Sequence, residues 1–150
     1  MTKKLIPADL GLDPGSGSAE HLYRWLLASV LLGRPIQQSV AAATYRTLIG
    51  AGLTSPTSFD RVSREQLRRL LDRGGYVQFD FRMSDTLRSV MRAIATEYGS
   101  VHGLVQTSAD EAQLTARLTG LSGIGPVTAR IFAAQVPATL YASGLGDDDR

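Results

Sequence analysis

Read for the spacing of its apolar residues, the chain is a succession of helices. Residues 19–32 are apolar nearly all round (Leu22, Trp25, Leu26, Leu27, Val30, Leu31), which predicts a helix at the centre of a core. Ser18 stands at its N-cap position and Gly33-Arg34-Pro35 breaks it. An alanine-rich helix is expected over residues 36–49, stopped by Gly50 and Gly52. Ser55-Pro56 opens a short turn through Phe59 and Val62. Ser63-Arg-Glu-Gln66 is a capping box before a helix with Leu67, Leu70 and Leu71 inward, closed by Gly74-Gly75. Residues 76–80 are strand-like in composition, but a lone short strand has no partner here, so they read as a loop. The clearest 3.6-residue period spans residues 82–98 (Met83, Leu87, Val90, Met91, Ile94, Tyr98) and ends at Gly99. After a short turn at 101–105, Ser108-Ala-Asp-Glu111 reads as a second capping box, opening a helix with Leu114, Leu118 and Leu121 on one stripe. The fold class is therefore all-α, a compact bundle of roughly six or seven helices. An irregular arm (1–18) precedes one helical domain (19–136), and a Gly- and Asp-containing tail (137–150) follows.

The last two helices meet at Leu121-Ser-Gly-Ile-Gly-Pro-Val-Thr-Ala-Arg130. Pro126 suits the first helical position, where a missing N–H costs nothing. Gly123 and Gly125 lack a Cβ, so the turn can take positive φ and a phosphate can approach the main chain. Ile124 between them can plug into the core. The free N–H groups and dipole of the second helix then face an anion. This is the design of a helix-hairpin-helix motif, placed over residues 109–136, that grips one DNA strand by its phosphates. Gly123, Ile124, Gly125, Val127, Thr128 and Arg130 are its candidate DNA-binding residues. The same spacing also suits an ordinary tight turn between packed helices.

Composition narrows the chemistry. With 150 residues the chain is most simply one domain, and with no cysteine it has no disulfide, thiolate nucleophile or cysteine-held cluster. His21 and His102 have no metal-ligand spacing around them. No apolar run approaches a membrane span, and Lys3-Lys4 is not followed by a signal-type apolar core, so a cytoplasmic location is expected. The formal charge is only +2, but apart from Lys3 and Lys4 every cationic side chain is arginine, suited to bidentate phosphate contacts. The cluster Arg61, Arg64, Arg68, Arg69 and Arg73, with Arg82, Arg88 and Arg92 after it, taken alone reads as a solvated helix face.

The order of elements around Leu121-Ser-Gly-Ile-Gly-Pro-Val-Thr-Ala129 resembles the helix-hairpin-helix DNA glycosylase superfamily, which includes endonuclease III and the alkylpurine glycosylases. Leu26-Leu-Ala-Ser-Val-Leu-Leu32 is similar to its first core helix, and Gly75-Tyr76 stands where it has a glycine-aromatic loop. The resemblance covers about residues 19–150 and implies sequence-independent DNA binding and cleavage of the glycosidic bond of an extruded base. Members with lyase activity carry a lysine where this chain has Val127, which cannot form an imine. The resemblance then implies a monofunctional N-glycosylase in base-excision repair, with an aspartate stabilising the sugar cation and positioning water. Leu145-Gly-Asp-Asp148 falls in that place, with Asp148 first and Asp147 second. The same aspartates also read as a solubilising acidic tail. No cofactor is implied and no iron–sulfur cluster, although a monovalent cation can bridge main-chain carbonyls of the hairpin. Gln37 or Gln38 stands in for the family's strand-probing glutamine. The family continues with further helices where this chain stops, so a homodimer covering apolar surface is expected.

Other residues carry alternatives. Tyr76 and Phe79, with Phe81 nearby, offer faces for stacking an unstacked base, or fill the core under their loop. Asp80 and Asp85 read as helix caps rather than as an acid and base. Two rival functions stay open: a catalytically inactive helix-hairpin-helix module, and a helical protein-interaction domain.

Overall fold

A computed structural model describes residues 4–142; the tail from residue 143, with Asp147 and Asp148, lies outside them. All the regular structure in that span is helical: α1 (Ala19–Leu32), α2 (Gln38–Gly50), α3 (Arg64–Gly74), α4 (Asp80–Tyr98), α5 (Val101–Gln106), α6 (Glu111–Thr119) and α7 (Pro126–Ala133), with short 3-10 turns in the connections. No helix among the described residues is long and apolar enough to cross a membrane.

Helix α1 is the axis of the core. Ten of its 14 residues are buried, as its nearly unbroken apolar surface requires. It packs on α2, α5 and α7, while α3 fills the space between α2 and α4. Truncating a side chain such as Leu26 to alanine would cost about 2–5 kcal/mol, the usual range for a large-to-small core change. The expected capping box of α3 forms in both directions: Ser63 N–H donates to Gln66 Oε1 (2.9 Å) and Gln66 N–H to Ser63 Oγ (3.1 Å). Gly75 then ends α3 in the left-handed region (φ 98°).

Four local expectations are corrected. Ser108 does not cap α6: its hydroxyl is buried and donates to Leu104 O, and Asp110 accepts the Gln113 N–H instead. Residues 101–106 form a helix, capped by Ser100, where a turn was expected. Gly103 permits this, since a Cβ there would fall 2.4 Å from Tyr98 O. Helix α2 starts at Gln38, two residues late, because Gln37 is extended (ψ 140°) and its carbonyl accepts the first helical N–H bond, from Ala41 (3.1 Å). Helix α4 starts at Asp80, two residues early, where the carboxylate accepts Phe81 N–H (2.6 Å).

The N-terminal arm is held against the body. Pro7, Leu12 and Pro14 are buried, and Asp13 N–H donates to His21 Nδ1 (2.8 Å). At the other end Tyr141 is buried and Ala142 N–H donates to Ser108 O (2.9 Å). Burial pushes the Tyr141 phenol up to about 12.

Candidate nucleic-acid interface

Helices α6 and α7 are joined by a tight turn. Leu121 and Ile124 are buried, and Ile124 N–H donates to Leu121 O (3.1 Å), so Ile124 plugs the turn into the core and has no N–H to offer outward. The two glycines do different work. Gly123 takes φ 93° and lies against α4, where an added Cβ would come within 2.8 Å of Thr86 Cγ2. Gly125 is extended (φ −99°, ψ 178°), and an added Cβ would meet nothing within 4 Å. Positive φ is therefore a property of Gly123 alone.

Pro126 occupies the first turn of α7 as its fixed φ favours, and the first α7 bond runs from Ala129 N–H to Gly125 O (3.2 Å). The N–H groups of Gly125, Val127 and Thr128 make no hydrogen bond among the described residues. Thr128 contributes only this N–H: its side chain is buried against Gly33, whose Cα approaches so closely that a Cβ would fall 1.9 Å from Thr128 Oγ1. Val127 is half exposed, and Arg130, one turn on, is exposed.

The contacts that position α7 also gather cations. Gly33 touches Thr128, placing Arg34 beside the N-terminal end of α7. Thr86 touches Gly123, and Arg82 stands one turn before Thr86 on the same face of α4. Arg34, Arg82 and Arg130 make no ion pair among the described residues, unlike Arg24, Arg64, Arg68, Arg69 and Arg92. Sequence spacing could not bring Arg34 and Arg82 to the turn, because both arrive through tertiary contacts.

The loop before α4 is corrected in its stacking residues. Tyr76 is fully buried and its hydroxyl donates to Leu31 O (2.7 Å), so its ring is not available to a base. That burial also holds the phenol well above its ordinary range. Phe79 is half buried, edge-on to Tyr76 at 6.5 Å. The exposed apolar side chains are Val77 (59%) and Phe81 (51%). The Phe81 ring lies 4.9 Å from the Arg64 guanidinium and 5.0 Å from that of Arg68. The alternation of Tyr76, Val77, Gln78 and Phe79 gave no signal that singled out Val77.

Asp80 and Asp85 are held structurally. Asp85 accepts both Arg64 donors (2.8 and 3.0 Å), a mid-helix ion pair where a cap was expected. Arg68 bridges Glu65 (2.6 Å), Asp72 (2.9 Å) and Asp80 (3.2 Å). A hydrogen bond with Asp80, then desolvation, raises the Asp72 carboxyl above its ordinary range. For Asp80, burial works upward, but hydrogen bonds from Asp72, Arg68 and the Phe81 N–H outweigh it and hold the carboxyl below the usual range.

Beside α7 lies a cleft of about 400 Å³ between the arm, α1 and α7, lined by Lys4, Leu5, Trp25, Gln38, Val127 and Arg130 among others. Among the described residues no group of three or more acidic or histidine side chains could hold a metal ion. No protein-family model matches the chain, and no curated protein matches its sequence.

Proposed function

We propose that the protein binds DNA without regard to sequence, seating one backbone phosphate on the turn between α6 and α7 as helix-hairpin-helix proteins do. The observation that carries this reading is Gly125. Neither its φ nor its neighbours require a glycine, yet a side chain there would obstruct approach to the unbonded N–H groups of Gly125, Val127 and Thr128. Such donors at a helix start, with the dipole behind them, favour an anion. Arg34, Arg82 and Arg130, which have no ion pair among the described residues, supply positive charge to this side of the protein, and a monovalent cation on the turn's carbonyls would complete the seat. Val77, exposed in the loop before α4, replaces Tyr76 as the side chain suited to entering the base stack.

Within that reading the protein is a base-excision-repair glycosylase relative of the monofunctional kind. Val127 borders the cleft where a Schiff-base lysine would stand, and an isopropyl group has no amine to form an imine. A cleft of this size lies in the range of small-ligand sites, large enough for an extruded base. Hydrolysis would rest on Asp148, with Asp147 as the alternative, because no carboxylate lines the cleft among the described residues. That same lack favours the second reading, a DNA-binding module without catalysis.

Fluorescence anisotropy with a labelled duplex tests the binding step. Affinity is expected to fall steeply with salt as counterions are released, and Gly125→Asp should abolish binding while the helical circular dichroism is unchanged. Absence of binding by the wild-type chain at low salt overturns the proposal. Base release compared between wild type, Asp147→Asn and Asp148→Asn separates enzyme from inactive module.

A further inference from the structure

Of the four large apolar side chains exposed among the described residues, two stand within five residues of each other, Val77 and Phe81. The turn that joins them is closed by Asp80 N–H donating to Val77 O (3.4 Å). The Phe81 ring is exposed but not loose. Arg64 and Arg68, one turn apart on α3, place their guanidinia 4.9 and 5.0 Å from its centre. Both guanidinia are fixed in turn, Arg64 by Asp85 and Arg68 by Glu65, Asp72 and Asp80. Because both reach the ring from α3, they back its α3 side, and the exposed half of the residue is the side turned away. The four carboxylates nearby are all paired with arginine. Arg73 at the end of α3 and Arg82 in the first turn of α4, both exposed, have no ion pair among the described residues.

We infer that the start of α4 receives an unpaired base on the open face of Phe81, so that the protein prefers a junction between duplex and single strand to an intact duplex. The inference rests on the DNA-binding reading and adds the kind of DNA to it. A ring already held by two cations gives a flat stacking surface with little ordering left to do, and stacking on it does not depend on which base arrives. A base inside a duplex is stacked on its neighbours and has no free face, so only an unpaired one gains. The path from the α6–α7 turn points the same way. Thr86, which touches Gly123, and Phe81 are five residues apart on α4, about 7.5 Å along its axis and about 140° around it. Arg82 lies between them in that rotation, next to the ring, where it can hold the connecting phosphate. A strand seated on the turn must therefore bend around the N-terminal end of α4 to reach Phe81. A flexible single strand can do so, whereas a stiff duplex cannot bend over so short a length. Val77, in the turn before the ring, then abuts the last base pair.

Three labelled DNAs are compared by fluorescence anisotropy at one salt concentration: a blunt duplex, the same duplex with an overhang of about six thymidines, and the same overhang built of abasic sugar-phosphate units. The overhang is tried in both polarities. The thymidine overhang is expected to bind at least about fivefold tighter than the abasic one in one polarity, the gain from a single stacked base, because the two carry the same phosphates and differ only in bases. Phe81→Ala should remove that gain, and Phe81→Trp should restore it. The added indole of Phe81→Trp should also change its emission on the thymidine overhang and not on the blunt duplex. Melting temperatures of both variants show whether the helices remain folded. A thymidine overhang bound no tighter than the abasic one overturns the inference, as does a Phe81→Ala variant that folds and loses affinity for all three DNAs alike. Failure of wild type to bind any of the three overturns the DNA reading itself, whereas equal binding of all three overturns only the preference assigned to Phe81.

Discussion

Gly123 of the α6–α7 turn lies against Thr86 of α4, so closely that a Cβ on the glycine would fall 2.8 Å from Thr86 Cγ2 and Oγ1. This contact fixes the turn to the longest helix of the protein and makes Gly123 and Gly125 separable by experiment. Gly123→Ala adds a side chain at φ 93° into a buried neighbour, and should cost about 1–3 kcal/mol of stability in urea unfolding. Gly125→Asp sits at an N-cap, where aspartate is preferred, and should leave stability equal or slightly raised while DNA binding is lost. Equal stability loss in both variants would contradict the geometry described for the turn.

The contact between Gly33 and Thr128 joins the end of α1 to the start of α7. Gly33→Ala would drive a methyl group onto Thr128 Oγ1, and a loss of about 1–3 kcal/mol is expected for overpacking at a buried joint. Adding Thr128→Ala removes the obstructing atom and should recover most of that loss. A double-mutant cycle showing independent, additive effects would mean that the two positions do not press on each other.

Tyr76→Phe removes a buried hydroxyl and leaves Leu31 O short of a partner. A destabilisation of about 1–3 kcal/mol is expected, with duplex affinity unchanged once the protein is folded. Val77→Asp should do the reverse, leaving melting temperature nearly unaltered and weakening DNA binding. A large affinity loss from the tyrosine change alone would return Tyr76 to the binding face.

The Asp72–Asp80 pair gives a pH signature with opposing signs. Asp80, held low by its hydrogen bonds, contributes stability above the ordinary aspartate pKa of about 4 that is lost as the carboxylate protonates in acid. Asp72, held high, favours the fold while protonated, and its contribution is lost as pH rises from about 4 through its folded value. Asp72→Asn preserves a neutral donor toward Asp80. Melting temperature measured from pH 3 to 7 should therefore keep the acid limb in this variant and lose the decline that Asp72 ionisation adds above it. Identical curves for variant and wild type would show that the pair is not coupled as described.

Much of the helical architecture follows from local sequence. A stretch apolar on every side, such as residues 22–31, can satisfy itself only at the centre of a core, wherever its partners come from. The Ser63/Gln66 box and Pro126 work through main-chain groups within one helical turn, so neighbours in sequence suffice to specify them. Ser108 went the other way because two polar residues competed for one helix start. The turn after α5 buried the serine on Leu104 O, leaving Asp110 at the position whose side chain faces the free N–H groups.

What only the tertiary structure decided concerns contacts between distant segments. The motif Leu-Ser-Gly-Ile-Gly-Pro announces a turn with free donors, but Gly123 and Gly125 look alike until Thr86 is found against one and open space beside the other. Tyr76 and Val77 are adjacent in the chain, and the choice of which ring or branch is buried depends on Leu31, 45 residues away, offering its carbonyl. Gly33 and Thr86 bring the segments that carry Arg34 and Arg82 against Thr128 and Gly123, and the cleft assembles from the arm, α1, α2 and α7 together. Periodicity and capping act within a few residues and are written along the chain. The surroundings of a side chain depend on which helices pack against it, and that is settled only when the whole core closes.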